Sequence, residues 1–370
     1  MSLLTTIRER SSAECHALLG AVTPRHVEAV LARSRLTTDD FLVLASDAAT
    51  ASLEPMAQKA RSLTRRHFGN AIVLFTPLYV SNYCDNACAY CSFAKQFRIS
   101  RRHLSLDEVA READAIAATG MRHVLVLTGE SRSKAPVDYL EGVVRTVRQR
   151  LSSIGIEVYP MAQDEYARLV SAGVDALTVY QEVYDEDAYR RLHRGGPKSN
   201  YEFRLDAPDR ACRAGIHAVT VGPLLGLADY RVEAYRAALH VAHLRKAHPS
   251  VEVSVALPRM RPLVAEFEVA CPVSDRAYVQ LLTAFRLVFP TIGITVSTRE
   301  SQEFRDNILP LGITRMSAGV STAVGGHAGE ASTAQFEIAD TRSVDQMRLD
   351  LMRLGFQAVM HDWHAGMLTP

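Results

Sequence analysis

The sequence predicts an α/β protein, a (β/α)8 barrel of the TIM type with an N-terminal helical extension. From Ile72 onward, short β-rich runs alternate with helical segments, the pattern of βα units around a parallel sheet. Eight such runs can be marked, enough to close a barrel. Polar or charged residues follow the C-terminal ends of six of them, and that end of a barrel is the face on which sites are built. Before about residue 70 the pattern is helical only.

The elements follow in order. Pro24 behind Thr23 fits a first-turn proline after a capping hydroxyl, and TTDDFLVLA and LEPMAQKARSLTRRHFG each carry an apolar face at helical spacing. Residues 1–70 are therefore read as the helical extension, and 71–370 as the barrel with a C-terminal helical region. The strands are IVLFTPLYV, HVLVLTG, IEVYP, ALTVYQ, HAVTVG, EVSVALP, GITVST and ITRMSAG. Helices ending in glycine precede three of them, in DAIAATG, ARLVSAG and RACRAG. Capping boxes at Ser105 with Glu108 and at Ser343 with Gln346 start two more helices, whose stripes of Val, Ala, Ile, Leu and Met are core. The strand-end polar residues are Ser81 and Asn82, Glu130, Gln181 and Glu182, Arg259, Arg299 and Glu300, and Ser317.

Composition narrows the function. The 370 residues are 48% hydrophobic with a formal net charge of +1, a folded chain without a field to gather nucleic acid or an anionic membrane. The N-terminal run lacks an apolar core of signal-peptide length, and AIVLFTPLYV is too short to span a bilayer, so a cytoplasmic protein is expected. Of six cysteines, Cys15, Cys212 and Cys271 are scattered and read as packed thiols. The other three stand together.

Cys84, Cys88 and Cys91 form C-x3-C-x2-C directly after the first strand. Thiolates so close on one loop can converge on a soft metal centre. A four-iron four-sulfur cluster usually takes four thiolates, so three leave one iron open to a ligand. A closed zinc site is the structural rival; it needs a fourth ligand, for which His103 is the nearby candidate. Tyr90, just before the last cysteine, is either loop packing or an aromatic platform for a bound ring.

Taken with LYVSNYCDNACAYCSF, the ordered motifs LTGE, EVYP, YQEVYD, RLDAPDR, LLGL, PRMRP, STRE, SAGVST and QFEIAD resemble the radical S-adenosylmethionine (SAM) tyrosine lyases of thiamin biosynthesis, the 2-iminoacetate synthase family. The likeness runs over nearly the whole chain. It implies a [4Fe-4S] cluster on the three cysteines, with SAM on the open iron. One electron then splits SAM into methionine and a 5′-deoxyadenosyl radical. The radical takes a hydrogen atom from the amino nitrogen of L-tyrosine, and the Cα–Cβ bond breaks to give 2-iminoacetate (dehydroglycine) and p-cresol. A reducing electron donor and thiazole synthase are the partners implied.

By the same resemblance Tyr90 flanks the adenine, Glu130 meets the SAM amino group, Glu182 accepts from ribose hydroxyls and Arg204 pairs with the SAM carboxylate. Each has an ordinary alternative, and for Arg204 it is a salt bridge. Arg299 is expected to grip the substrate carboxylate with Ser317 nearby, since a guanidinium fork fits a carboxylate. Arg259 and Arg261 are its rivals, or else members of ion pairs on the barrel rim.

The chain departs from the family pattern in Ser92 where glycine is common, EVY for ETY, ALPRMRP for SFPRLRP, and His327 where tyrosine is common. His327 puts substrate identity in question if its turn meets the substrate ring; as a lone histidine it reads first as a loop hydrogen-bonder. Two relatives compete. The hydrogenase-maturation tyrosine lyase carries a C-terminal second cluster, and no cysteine follows Cys271 here, which speaks against it. The tryptophan lyase that makes 3-methylindolic acid shares the architecture and is the alternative. A non-catalytic iron-sulfur or zinc barrel is the third reading.

Overall fold

The computed structural model describes residues 2–261, 267–329 and 331–361. Pro262 of the PRMRP motif and the run from 362 to 370 lie outside the described residues. Five helices come first: α1 (Leu3–Arg8), α2 (Ser12–Ala21), α3 (Pro24–Leu31), α4 (Thr38–Ala45) and α5 (Leu53–Phe68). Pro24 occupies the first turn of α3 as expected. Eight parallel strands follow: β1 (Ala71–Ser81), β2 (His123–Thr128), β3 (Ser153–Glu157), β4 (Ala176–Glu182), β5 (Ala218–Pro223), β6 (Glu252–Ala256), β7 (Gly293–Val296) and β8 (Arg315–Ser317). They pair in sequence order, and β1 closes the ring by pairing with both neighbours, Thr76–Tyr79 on β2 and Val73–Phe75 on β8.

The helices between strands are α6 (Leu106–Ala118), α7 (Val137–Arg148), α8 (Gln163–Ala172), then α9 (Glu186–Leu192), α10 (Tyr201–Leu205) and α11 (Ala207–Arg213), all between β4 and β5, and α12 (Tyr230–Ala247), α13 (Asp275–Val288) and α14 (Gln302–Ile308). After β8 comes α15 (Val344–Arg353). Both predicted capping boxes form. Glu108 accepts from the Ser105 backbone N–H at 2.8 Å, and Gln346 from that of Ser343 at 2.9 Å. The N-terminal helices α4 and α5 pack against α13, and Phe41 of α4 meets Phe285 of α13 edge to face at 4.7 Å.

Two strand assignments change. The third strand was expected to begin at Ile156 and end at Pro160; it begins at Ser153 and ends at Glu157, because Gly155 sits inside it rather than before it. Gly155 is small for a packing reason: a Cβ there would lie 3.2 Å from Leu125 Cδ1 on the next strand. A ninth strand, β9 (Gln357–Val359), was not foreseen; it pairs with Ala71–Val73, below the point where β2 begins. Three partly exposed residues carry no periodicity to read.

Candidate active site

The loop that leaves β1 is fastened along its length. Ala87 N–H donates to Gly195 O at 2.8 Å, Ala89 N–H to Leu192 O at 2.9 Å, and Asp85 N–H to Glu130 O at 3.0 Å. The Arg101 guanidinium gathers the far side, donating to the carbonyls of Asn82, Phe93 and Ala94 at 2.5 to 2.8 Å. Gly129 of the TGE motif permits the close approach of this loop to the end of β2, since a Cβ there would come within 2.3 Å of Tyr83 O.

On that loop Cys84, Cys88 and Cys91 are free thiols, and all three line one cavity at the C-terminal mouth of the barrel. Burial pushes the Cys84 thiol up to about 11 and the other two upward as well. Among the described residues, no group of His, Cys, Asp and Glu could hold a single metal ion. His103, the candidate fourth zinc ligand, packs its ring on Tyr139 at 4.2 Å instead. Three free thiols on one loop without a fourth ligand among the described residues fit an iron-sulfur cluster better than zinc.

Including the space at its mouth, the cavity encloses about 1470 Å³. Tyr90, Glu130, Glu182, Arg204, Arg299 and Ser317 line it with the cysteines, so every residue predicted for the site reaches the same space. Next to the cysteine loop the charges alternate. Arg204 Nη1 lies 2.8 Å from Glu130 Oε1, and Lys198 Nζ 2.8 Å from Glu182 Oε1, with cross contacts of 3.7 Å for Lys198 to Glu130 and Arg204 to Glu182. Burial alone would raise both carboxyls, but Arg204 and Lys198 outweigh it and hold them below the usual range. Asn86 ties this network to the loop, donating to Glu130 Oε2 at 2.9 Å and accepting from Lys198 N–H at 2.8 Å.

Glu182 has φ 69°, the one non-glycine residue with positive φ among the described residues, where the β4–β5 register slips. Strain of this kind persists only where its surroundings enforce it, and it marks sites. Tyr90 is buried; its hydroxyl meets His193 Nε2 at 2.9 Å, and its ring stands edge-on to His193.

Across the cavity the pattern differs. Arg299 sits over the Phe336 ring, its guanidinium carbon 3.5 Å from the centroid, and forms no ion pair with a described residue. Burial holds its pKa below the ordinary guanidinium value. The Ser317 hydroxyl accepts from Thr298 N–H at 3.2 Å, and the Tyr79 hydroxyl donates to Gln335 Oε1 at 2.6 Å. The rival arginines are engaged elsewhere: Arg259 Nε reaches Glu300 Oε1 at 3.0 Å and Arg261 Nη2 reaches Glu300 Oε2 at 3.2 Å. His327 is a loop hydrogen-bonder outside the cavity wall, with Nε2 2.8 Å from Pro77 O. Asn82 braces the loop through Arg102 N–H and Ser100 O, and Gln181 is buried outside the cavity lining. Cys15, Cys212 and Cys271 are away from the cavity.

Two charged wall residues escaped the sequence reading. Lys198 stands in the GGPK run after α9, not at a strand end, so the strand-end rule could not find it. Glu157 does end a strand, but the misplaced bounds of β3 hid it in the interior. A correct register would have added it to the strand-end residues.

A parallel (β/α)8 barrel with three clustered cysteines after its first strand defines a radical SAM enzyme, and residues 78–236 match the Radical SAM superfamily. Residues 256–357 match the Biotin and Thiamin Synthesis associated domain. The chain is 41% identical to 2-iminoacetate synthase of Escherichia coli (strain K12), over 92% of this chain and 91% of that protein. It belongs to the 2-iminoacetate synthase family. Similarity to 3-methylornithine synthase of Methanosarcina acetivorans is lower, 26% over 74% of this chain and 76% of that one. Among solved structures, the FeFe-hydrogenase maturase HydG of Carboxydothermus hydrogenoformans superposes with a TM-score of 0.88 at 29% identity, covering 98% of this chain and 85% of that chain.

Proposed function

We propose that this chain cleaves the Cα–Cβ bond of L-tyrosine to 2-iminoacetate and p-cresol, using a [4Fe-4S] cluster and SAM, for the thiazole branch of thiamin biosynthesis. The observation that carries the reading is one cavity lined by three free thiols and by an arginine that pairs with no described acid, in a chain of this family. When bound, the cluster and SAM supply a hydrogen-abstracting radical.

The chain's own residues hold, orient and enclose. Cys84, Cys88 and Cys91 would hold the cluster through their thiolates. Arg204 spends Nη1 on Glu130 and Nε on Tyr180 O, leaving Nη2, 3.7 Å from Glu182, to donate to the SAM carboxylate. Glu130 would receive the SAM amino group and Glu182 the ribose hydroxyls, with Tyr90 flanking the adenine. Arg299 would take the tyrosine carboxylate, steadied by Ser317. The barrel wall keeps water and bystander bonds from the reacting atoms.

A reducing donor must supply the starting electron. Thiazole synthase is the fitting recipient of 2-iminoacetate, which hydrolyses readily and is best handed over directly. No described helix is long and apolar enough to cross a membrane, and six free cysteines suit the reducing cytoplasm. The test is anaerobic reconstitution with SAM, a reductant and either L-tyrosine or L-tryptophan. Methionine, 5′-deoxyadenosine and p-cresol are expected with tyrosine. An indole product from tryptophan without p-cresol from tyrosine would replace this reading with the tryptophan lyase.

A further inference from the structure

The cavity wall carries seven charged side chains among the described residues: Glu130, Glu157, Glu182, Lys198, Arg204, Arg299 and Glu300. Five are in ion pairs. Glu130 and Glu182 hold Arg204 and Lys198, and Glu300 holds Arg259 and Arg261. Arg299 and Glu157 remain, one cation and one anion. Each acts on the other through space, yet no ion pair joins them. Glu157 is the last residue of β3, and its side chain turns into the cavity.

We propose that Glu157 binds the α-ammonium group of the amino acid whose carboxylate lies on Arg299, and takes up one of its protons. The proposal rests on the tyrosine lyase reading and adds to it the acceptor of the substrate amine. Charge balance favours this over a contact with the phenol. A desolvated carboxylate needs a compensating cation, which an ammonium supplies and a neutral phenol does not. A zwitterion brings one charge of each sign to a cavity that offers one of each, Glu157 from β3 and Arg299 from the segment after β7.

The proton transfer is complete in itself. One N–H bond breaks, the proton passes to a Glu157 oxygen, and the nitrogen keeps the electron pair. The result is the neutral amine from which a hydrogen atom can be taken. The Glu157 environment suits a group that both binds and accepts. Burial and then Glu182 push its pKa up to about 7, against the opposing pull of Arg299, Lys198 and Arg204. Tyr79 on β1 and Tyr180 on β4 are the other titratable groups facing it, and burial keeps both protonated.

The test compares L-tyrosine with its deamino analogue, 3-(4-hydroxyphenyl)propanoate, binding to the reconstituted holoprotein with SAM. Glu157→Gln should weaken tyrosine by roughly tenfold or more and leave the analogue within about twofold, as expected for one lost charged contact. Equal tyrosine affinity in the variant, or equal weakening of both ligands, would overturn the assignment. A second measurement needs no variant: in the wild-type protein the preference for tyrosine over the analogue should fall as pH drops through about 7. A preference that is flat through that range counts against Glu157. Failure of the wild-type protein to make p-cresol would sink the tyrosine reading instead, so the two failures are distinct.

Discussion

The cavity handles charge in two opposite ways. Beside the cysteine loop, Glu130, Arg204, Glu182 and Lys198 are paired into a closed alternating set and tied to the loop through Asn86. Arg299, after β7, and Glu157, at the end of β3 on the opposite side of the barrel, form no ion pair with a described residue in the same low-dielectric space. A prepaired wall is organised before its ligand arrives, so binding need not order it. A wall with uncompensated charges gains most from a ligand that supplies the missing partners. On the proposed reading the paired set holds the cofactor, and Arg299 with Glu157 selects the substrate.

The harshest way to break this division is at the cysteines. Cys88→Ala, like the same change at Cys84 or Cys91, should remove the cluster and abolish SAM cleavage, whereas serine at Cys15, Cys212 or Cys271 should leave both intact. Anaerobic iron content and the visible absorption band report it. A Cys88→Ala protein with its cluster and full activity would undo the assignment of the loop.

Next in size is Arg204→Ala. It leaves Glu130 only the 3.7 Å contact with Lys198 and the Asn86 hydrogen bond, and breaking a buried pair typically costs about 3 to 5 kcal/mol. Both walls should feel the loss, because SAM binding and therefore coupled and uncoupled cleavage all fall. Normal SAM affinity in an equilibrium assay would show that the pairing serves the fold alone.

Much of this was legible in the residues. Strand alternation located all eight barrel strands, and the capping boxes formed where the Ser-x-x-Glu and Ser-x-x-Gln spacings put them. What escaped was tertiary. Gly155 reads as a breaker because its partner Leu125 lies on another strand, and that error hid Glu157. Lys198 follows a short helix in a long β4–β5 connection, so only the folded chain brings it to Glu182. The occupation of Arg259 and Arg261 by Glu300 is equally invisible in a linear pattern.

Arg299→Ala sharpens the comparison from the substrate side. The cluster and SAM affinity should survive, because Arg299 is outside the paired set. Tyrosine binding should weaken by about 2 to 5 kcal/mol, the usual effect of losing a buried charged contact, with little p-cresol and at most uncoupled 5′-deoxyadenosine. Wild-type tyrosine affinity and p-cresol yield would show that another donor holds the carboxylate.

The smallest effect is expected at His327. The side chain is outside the cavity wall, and its Nε2 donates to Pro77 O at 2.8 Å. Its backbone N–H and that of Ala328 donate to Glu112 on α6 at 2.9 and 2.8 Å, so the turn is held whatever side chain it carries. His327→Tyr therefore removes one side-chain hydrogen bond, worth about 0.5 to 1.5 kcal/mol of stability. It should lower the melting temperature slightly and leave the tyrosine KM and the ratio of p-cresol to 5′-deoxyadenosine within about twofold. Substrate selection would then rest with Arg299, Ser317 and Glu157, which line the cavity as His327 does not. A large change in that ratio would mean that the Pro77 segment of β1, which lines the cavity, transmits the state of this turn to the bound amino acid.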